Sequence, residues 1–207
     1  MGLLEYSKAK SILDKYKIKS IESEYVTSAE EAARFAESGQ IVLKVLSGKA
    51  LHKSKSGLVT LGLSGESKIT AAFNALQSKA LKLNLAPYNI IAQKMAPSGI
   101  EIIIGGRIDP QFGKLLLIGL GGIYVEAFRD FALRVCPITR RDAEEMLAQL
   151  KSVEVITQHG ASTDLICDLL LKTSSLLTKE KNISELDLNP VIIHHSGYDI
   201  VDIRVLE

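Results

Sequence analysis

The chain has 207 residues, enough for one large domain or for two small lobes that share a ligand. Its 25 Lys and Arg residues against 24 Asp and Glu residues leave a formal net charge of +1, which gives no electrostatic reason to expect a nucleic acid or an acidic membrane as partner. A composition of 46% hydrophobic and 24% charged residues excludes a disordered chain, and two cysteines exclude a disulfide framework. We expect a globular cytoplasmic protein without a signal peptide or a membrane-spanning segment.

The first half of the chain, residues 1–86, is expected to form a small lobe. Ser28 and Glu31 have the spacing of a capping box, which predicts a helix beginning at Ser28 and ending at Gly39. Apolar residues at helical spacing predict helices over residues 3–17 and 66–83, and β-branched runs predict strands over residues 41–46 and 58–63.

The second half, residues 87–207, is expected to form the other lobe. Its apolar runs predict strands over residues 88–95, 100–108, 114–120, 183–188, 191–195 and 198–205. Short turns between consecutive strands predict antiparallel neighbours. Two helices, one capped by Thr139 and one over about residues 162–178, lie between these groups of strands. The pattern therefore indicates an α+β fold with two lobes.

Lys44 is a charged residue inside the apolar run of residues 41–46. A buried ammonium group needs an anion or an ordered water molecule as its partner. A lysine on the solvent face of an edge strand is already hydrated and needs no such partner. The connection that follows, residues 47–57, contains three lysines, one histidine, three serines and two glycines, among them His52, Lys53, Ser54 and Gly57. Small residues and lysines suit a phosphate group, although a generic basic loop has the same composition.

The last strands carry oxygen ligands. In an extended strand Glu185, Asp187 and Asn189 project to one face, and the following hairpin returns Asp202 towards them. Such carboxylate and amide oxygens are the ligands that hold Mg2+ against nucleotide phosphates. Solvent-facing acids on an edge hairpin are the other interpretation, but the flanking aliphatic residues favour a hairpin in the core.

Seven segments in one order carry a family resemblance. They are Val42-Leu-Lys-Val45, His52-Lys-Ser54, Gly99-Ile-Glu-Ile-Ile-Ile-Gly105, Asp109-Pro-Gln-Phe-Gly113, Gly119-Leu-Gly-Gly-Ile123, Val125-Glu-Ala-Phe-Arg-Asp130 and Glu185-Leu-Asp-Leu-Asn-Pro190. Together the segments span nearly the whole chain. The chain thus resembles the ATP-grasp domain of NDP-forming acyl-CoA synthetases, and most closely the beta subunits of archaeal ADP-forming acetyl-CoA synthetases. The family usually has proline where this chain has Lys114.

The resemblance implies a two-lobed ATP-grasp fold with ATP or ADP and Mg2+ bound between the lobes. Lys44 would hold the α- and β-phosphates, with the loop residues Lys53, Ser54 and Gly57 nearby. The backbone of Gln93, Lys94 and Met95 would bond the adenine edge, and Glu101 would stand beside the ribose and phosphates. Asn189 and Asp202 would bind Mg2+, with Asp187 close by. His52 would accept a phosphoryl group.

The implied reaction is acyl-CoA + ADP + phosphate giving acid + CoA + ATP, an acid–thiol ligase run in reverse. An alpha subunit would carry the CoA site and a second phosphohistidine, in an alpha2-beta2 assembly. Two other hypotheses remain: an ATP-grasp carboxylate ligase that makes an acyl phosphate directly, and a non-catalytic nucleotide-binding regulatory subunit.

Overall fold

The computed structural model describes residues 2–37, 39–49, 57–122, 130–158 and 162–207. The helices in these residues are α1 (Tyr6–Lys15), α2 (Ala29–Ala36), α3 (Glu66–Lys82), α4 (Arg140–Gln149), α5 (Val153–Gln158) and α6 (Thr163–Lys179). The strands are β1 (Ser23–Val26), β2 (Ile41–Leu46), β3 (Val59–Leu63), β4 (Asn89–Lys94), β5 (Ile100–Asp109), β6 (Gly113–Leu120), β7 (Phe131–Val135), β8 (Glu185–His194), β9 (Gly197–Ile200) and β10 (Ile203–Leu206). None of these helices is long and apolar enough to cross a bilayer.

The chain divides into two compact units. The smaller unit is Ile21–Met95, and the larger unit combines Met1–Ser20 with Ala96–Glu207. Each has its own hydrophobic core and an antiparallel sheet with helices, so the predicted α+β class is confirmed. The sequence analysis placed the boundary between the two lobes after residue 86, whereas in the structure the smaller unit begins at Ile21 and ends at Met95. β4 pairs with β1 and β2 in the smaller unit, and α1 packs against β10 in the larger one.

The smaller unit is a four-stranded sheet in the order β1-β4-β2-β3. One face is covered by α2 and α3, which bury Leu43 and Val45 of β2. Ser28 caps α2 by accepting a hydrogen bond from the Glu31 amide, as the sequence predicted. In a capping box the Glu31 carboxylate would accept from the backbone amide of Ser28. Here it accepts instead from the backbone amide of Thr27, one residue before the cap.

The larger unit is a six-stranded sheet in the order β10-β8-β5-β6-β7, with β9 pairing to β8 beside β10. The helices α4 and α6 pack on one face, called the inner face below, and its residues form the core. Gly106 lies at this contact, because a Cβ built there would come within 2.4 Å of the Leu177 side chain of α6. The glycine therefore lets the helix approach the sheet closely.

β8 is the most extensively paired strand of the larger unit. Along one side it pairs with β5, and along the other it pairs first with β10 and then with β9. The sequence predicted two strands here, over residues 183–188 and 191–195, but the structure has a single ten-residue strand. The prediction that residues 88–95 pair with residues 100–108 is also wrong, because β4 lies in the other sheet.

Two polar contacts fix connecting segments of the larger unit. The Asp130 carboxylate accepts hydrogen bonds of 2.8 Å from the amides of Lys151 and Ser152, just before α5. The ammonium group of Lys114 donates to the carbonyl oxygens of Glu180 and Ile183 after α6. Lys114, where the resembled family has proline, thus links β6 to the segment that follows α6.

Replacing Gly106 by alanine should lower the free energy of unfolding by about 1–3 kcal/mol, the usual cost of overpacking a core. Leu177 is fully buried and cannot move into solvent to make room. Denaturant unfolding of Gly106→Ala beside Gly105→Ala gives a matched comparison, since a Cβ on Gly105 finds its nearest atom at an ordinary 3.6 Å. Equal losses in the two variants would contradict the proposed close contact.

Candidate functional site

Lys44 lies in β2, an interior strand of the smaller sheet, between Ile91 of β4 and Val59 of β3. Its side chain is 4% exposed, so the interpretation as a solvent-facing lysine on an edge strand is wrong. Strand alternation sends Leu43 and Val45 towards the helices and Lys44 to the opposite face. A buried cation on this face agrees with the phosphate-binding role that the resemblance implies for Lys44.

The stretch Gln93–Met95 extends the same region of the smaller sheet. Gln93 is directly opposite Val42 and is therefore a diagonal neighbour of Lys44 on its face. The amides of Lys94 and Met95 donate 3.0 Å hydrogen bonds to the carbonyl oxygens of Glu22 and Gln40. These two amides are therefore engaged within the protein and are not free to donate to an adenine edge.

The Lys94 ammonium group has a structural role. It donates a 2.8 Å hydrogen bond to the Phe35 carbonyl in the last turn of α2 and lies 4.9 Å from the centre of the Phe35 ring. It also forms a 3.8 Å ion pair with Glu37. A cation at a helix C-terminus satisfies free carbonyl groups and complements the helix dipole. The Lys94 ammonium group is therefore engaged within the smaller unit, and the predicted contact of Lys94 with adenine would have to come from its backbone carbonyl.

The basic connection is described only at its two ends. Lys49 donates to the carbonyl oxygens of Asn84 and Ala86, which ties the start of the connection to the end of α3. At the other end Gly57 has a φ of +60°, and a Cβ there would come within 2.4 Å of the ammonium nitrogen of Lys79. Lys79 was not predicted from the sequence because it lies on α3. The predicted residues His52, Lys53 and Ser54 lie outside the described residues.

The predicted oxygen ligands lie on the outer face of the larger sheet, opposite α4 and α6. In β8, Leu186 and Leu188 are buried on the inner face, whereas Glu185, Asp187 and Asn189 alternate to the outer one. The alternation inferred from the sequence is therefore present. Because the flanking leucines lie in the core, the strand is part of the packed sheet, and the alternative of solvent-facing acids on an edge hairpin is wrong.

A bulge in β8 controls where Asn189 lies. Ile102 and Ile104 of β5 pair with Val191 and Leu188, so β8 has one extra residue between them, at the cis Asn189–Pro190 peptide. Bulges change the direction of a strand and of its side chains. Beside the bulge, the backbone amide of Asn189 donates a 3.2 Å hydrogen bond to the backbone carbonyl oxygen of Asp202. The backbone thus brings the two residues together, as the sequence predicted.

The electrostatics of this hairpin favour a cation. The pKa of Asp187 is raised to about 6, chiefly by burial and also by the carboxylates of Asp202 and Glu185, while Arg204 opposes the shift. Two close carboxylates, one of them with a raised pKa, form an arrangement that a divalent cation relieves.

Arg204 and Gly105 flank Asp187 and were not identified from the sequence. Arg204 of β10 and Gly105 of β5 are its direct neighbours on either side. Side chains alternate along a strand, so the sequence could have indicated that Arg204 shares the face of Asp202. No signal in the sequence indicates that Arg204 lies opposite Asp187. Gly105 has no side chain, so the outer face stays open beside the carboxylate.

Glu101, the second residue of β5, lies on the same outer face and is exposed. Its carbonyl oxygen accepts a 2.7 Å hydrogen bond from the Gly121 amide. A Cβ on Gly121 would lie 2.8 Å from the Glu101 backbone, and one on Gly122 would lie 3.2 Å from the Glu101 carboxylate. In the described residues, the glycines after β6 therefore serve to bring the chain close to Glu101.

Among the residues that the structure describes, no group of three or more His, Cys, Asp or Glu side chains is placed to hold a metal ion. The candidate set has two carboxylates, Asp187 and Asp202, and one amide, Asn189. This donor set fits Mg2+, which usually takes one or two carboxylates and completes its octahedron with water and substrate phosphates.

Comparison with known proteins gives a family match over almost the whole chain. The ATP-grasp domain family matches residues 1–206. The chain is 36% identical over 205 residues to acetate–CoA ligase [ADP-forming] I of Archaeoglobus fulgidus, covering 94% of this chain and 30% of that protein. It is 32% identical to acetate–CoA ligase [ADP-forming] I subunit beta of Pyrococcus furiosus, covering 96% of this chain and 89% of that one. The chain thus spans less than a third of the first relative.

A solved structure is also similar. Acetyl-coenzyme A synthetase 1 of Ca. Korarchaeum cryptofilum, in complex with coenzyme A and Mg-AMPPCP, has a TM-score of 0.84 and 33% identity. The match covers 99% of this chain and 92% of that one. In that structure a phosphohistidine segment points towards the nucleotide binding site.

Replacing Asp187 by asparagine should stabilise the metal-free protein at pH 7.5 by roughly 1–3 kcal/mol and leave it unchanged near pH 4. The pKa of Asp187 in the folded protein, about 6, is above its ordinary value of 3.8. The folded protein therefore binds this proton more tightly than the unfolded chain, and wild-type stability falls as the pH rises between these two values. Denaturant unfolding in EDTA at several pH values measures the difference.

Adding Mg2+ at pH 7.5 should then stabilise the wild type more than Asp187→Asn, because the cation compensates a carboxylate that the variant lacks. A stability gap between the two proteins that did not change with pH would contradict the assigned environment of Asp187.

Proposed function

This chain belongs to the ATP-grasp family, and on that premise we propose that it is the nucleotide-binding subunit of an ADP-forming acyl-CoA synthetase. The complete enzyme would catalyse acyl-CoA + ADP + phosphate giving acid + CoA + ATP. The observation that carries the proposal is the outer-face hairpin, where Asp187, Asn189 and Asp202 lie together beside an open position at Gly105. The names of the similar ligases support the reaction class.

The residues that the resemblance implies have separate roles towards the nucleotide and its metal ion. Lys44, buried in an interior strand of the smaller unit, would hold the phosphates. In the larger unit Asn189 and Asp202 would bind Mg2+, with Asp187 close by, and Glu101 would stand beside the ribose and phosphates. The metal ion would neutralise developing charge on the phosphate oxygens, which is the principal requirement of phosphoryl transfer.

His52 would carry the phosphoryl group between the partner and ADP. A neutral imidazole is a competent acceptor, and the ordinary pKa of histidine leaves it mostly neutral at pH 7. In the transfer to ADP, the N–P bond of the phosphohistidine breaks and the imidazole keeps the electron pair. A terminal oxygen of ADP forms the new O–P bond. The phosphohistidine segment of the similar structure supports a relay of this kind.

A partner subunit would supply the CoA site. The single-chain relative from Archaeoglobus fulgidus is about three times as long as the matching segment, and the Pyrococcus furiosus relative is named a beta subunit. We propose an alpha subunit with its own phosphohistidine in an alpha2-beta2 assembly in the cytoplasm.

Lys44→Met should weaken Mg-ADP binding by about 10–100-fold, the loss expected when one charged hydrogen bond to phosphate is removed. Methionine is unbranched and only one atom shorter than lysine, so the buried strand should stay folded. Isothermal titration measures the affinity, and Lys82→Met, an exposed lysine on α3, is the control. Equal affinities in both variants would remove Lys44 from the site.

Incubation of the assembled enzyme with γ-labelled ATP should place acid-labile, base-stable phosphate on this chain. His52→Ala should abolish that label, whereas replacing the exposed His195 by alanine should not. Peptide mapping of the labelled subunit makes the assignment. Turnover without label on any histidine would favour the direct acyl-phosphate route. Mg-ADP binding without turnover in the assembled enzyme would favour the regulatory subunit.

A further inference from the structure

Arg204 is a basic side chain placed directly beside a candidate metal ligand. It lies in β10 opposite Asp187 of β8, and it follows Asp202 by two residues on the same face of the sheet. Directly opposite side chains in antiparallel strands have Cβ atoms about 4.5–5.5 Å apart. On its other side Asp187 is opposite Gly105, which carries no side chain. Of these two opposite neighbours, only Arg204 can therefore give Asp187 a side-chain partner.

The guanidinium group of Arg204 lacks an acceptor for one of its donors. Its Nε atom is buried and has no hydrogen-bond partner among the residues that the structure describes. A buried donor without a partner costs about 1–3 kcal/mol, and more when the group is charged. Because solvent does not reach this atom, a phosphate group arriving from solvent does not reach it either, and its acceptor has to be a protein group. The Asp187 carboxylate has the charge and the planar shape that a guanidinium group binds best.

Asn189 and Asp202 are placed differently with respect to this guanidinium group. A backbone hydrogen bond joins the two residues at the bulge, in the row next to that of Arg204 and Asp187. The side-chain amide of Asn189 is neutral and does not attract a cation as a carboxylate does. Asp202 is two residues from Arg204 along β10, a separation of about 6.6 Å. The register therefore places Asp187 nearer to Arg204 than either of the other two candidate ligands.

The number of protein oxygens that reach a cation influences which cation a site prefers. Mg2+ is usually bound by about one or two carboxylates and keeps several water molecules, whereas Ca2+ takes about six to eight oxygen ligands in a flexible arrangement. Direct ligation by Asp187, Asp202 and Asn189 together would therefore suit Ca2+. A site in which Arg204 engages Asp187 keeps one direct carboxylate and one amide, and suits Mg2+.

We propose that Arg204 is a positioning residue that sets the metal preference of this hairpin. Its guanidinium group engages the Asp187 carboxylate and keeps it out of direct coordination, leaving Asp202 and Asn189 as the direct ligands. Selectivity for Mg2+ over Ca2+ then comes from a residue that does not touch the metal ion. The inference rests on the proposed function for the place of the metal site.

The test measures Mg2+ and Ca2+ binding to the full chain without nucleotide, from the dependence of the denaturant midpoint on metal concentration. Arg204→Gln should raise the ratio of the Ca2+ affinity to the Mg2+ affinity by about tenfold, the change expected when one charged contact to the cation is gained. Arg204→Lys keeps the charge and should raise the ratio by only about threefold or less. Loss of a positive charge as such strengthens the binding of both divalent cations, so the ratio isolates the change in the ligand set.

Two controls identify the carboxylate that is involved. The matched control is Arg107→Gln, which removes an exposed arginine of the same outer face, opposite Glu185 of β8, and should leave the ratio unchanged. Adding Asp187→Asn to Arg204→Gln should return the ratio to the wild-type value, because the released carboxylate is no longer present.

A second measurement needs no change at Arg204. In the nuclear magnetic resonance spectrum of the Mg2+-containing sample, the Nε–H signal of Arg204 should be displaced by Asp187→Asn. It should not be displaced by Asp199→Asn, which alters a half-buried carboxylate of β9. This measurement tests the contact even if circular dichroism shows that Arg204→Gln does not fold.

An unchanged ratio in Arg204→Gln overturns the inference, as does a ratio that stays raised in the double variant or an Nε–H signal that does not respond to Asp187→Asn. Separate titration of the wild type with Mg-ADP tests the proposed function. Mg-ADP binding with an unchanged ratio would reject the role of Arg204 alone. A shifted ratio in a chain that binds no nucleotide would support this role and reject the proposed function. A wild type that binds neither metal ion nor Mg-ADP would reject both.

Discussion

The alternation of side chains along β8 is the constraint on which the candidate site depends. Four of its residues, Leu186, Leu188, Val191 and Ile193, are buried in the core of the larger unit. At about 1.5–3 kcal/mol for each buried aliphatic side chain, their burial contributes roughly 6–12 kcal/mol. Moving the strand by one residue would expose all of them, so the register of the strand is fixed by its inner face.

The fixed register holds the acidic side chains together against an electrostatic cost. The pKa of Asp187 is raised by about two units, which corresponds to about 3 kcal/mol at neutral pH. That cost is smaller than the gain from the aliphatic residues on the other face, so the strand keeps the carboxylates in an arrangement they would not adopt alone. A site that is unfavourable without a cation and rigid in its backbone is prepared to bind one.

Local patterns were sufficient to predict most elements and the face of β8 on which the candidate ligands lie. The Thr139 capping box, the strand over residues 41–46 and the alternation of β8 each depend on residues close in sequence, and the structure has all three. The partner of β4 depends on residues 21–26 and 41–46, and no local pattern indicates which sheet a strand will join. The same limit explains Arg204 and Lys79, whose importance arises from long-range neighbours.

The roles of the glycines could not be predicted from the sequence alone. Gly121 is held against the Glu101 backbone, where a Cβ would come within 2.8 Å. Gly105 and Gly106 are adjacent in sequence but serve opposite faces, one open beside Asp187 and the other under Leu177. Since a glycine carries no side chain, only its neighbours reveal whether it makes room for a helix, for another strand or for a ligand. At Gly105 the open space adjoins the carboxylates of the candidate metal site. The lack of a side chain at Gly105 therefore affects this site and leaves the packing of the core unchanged.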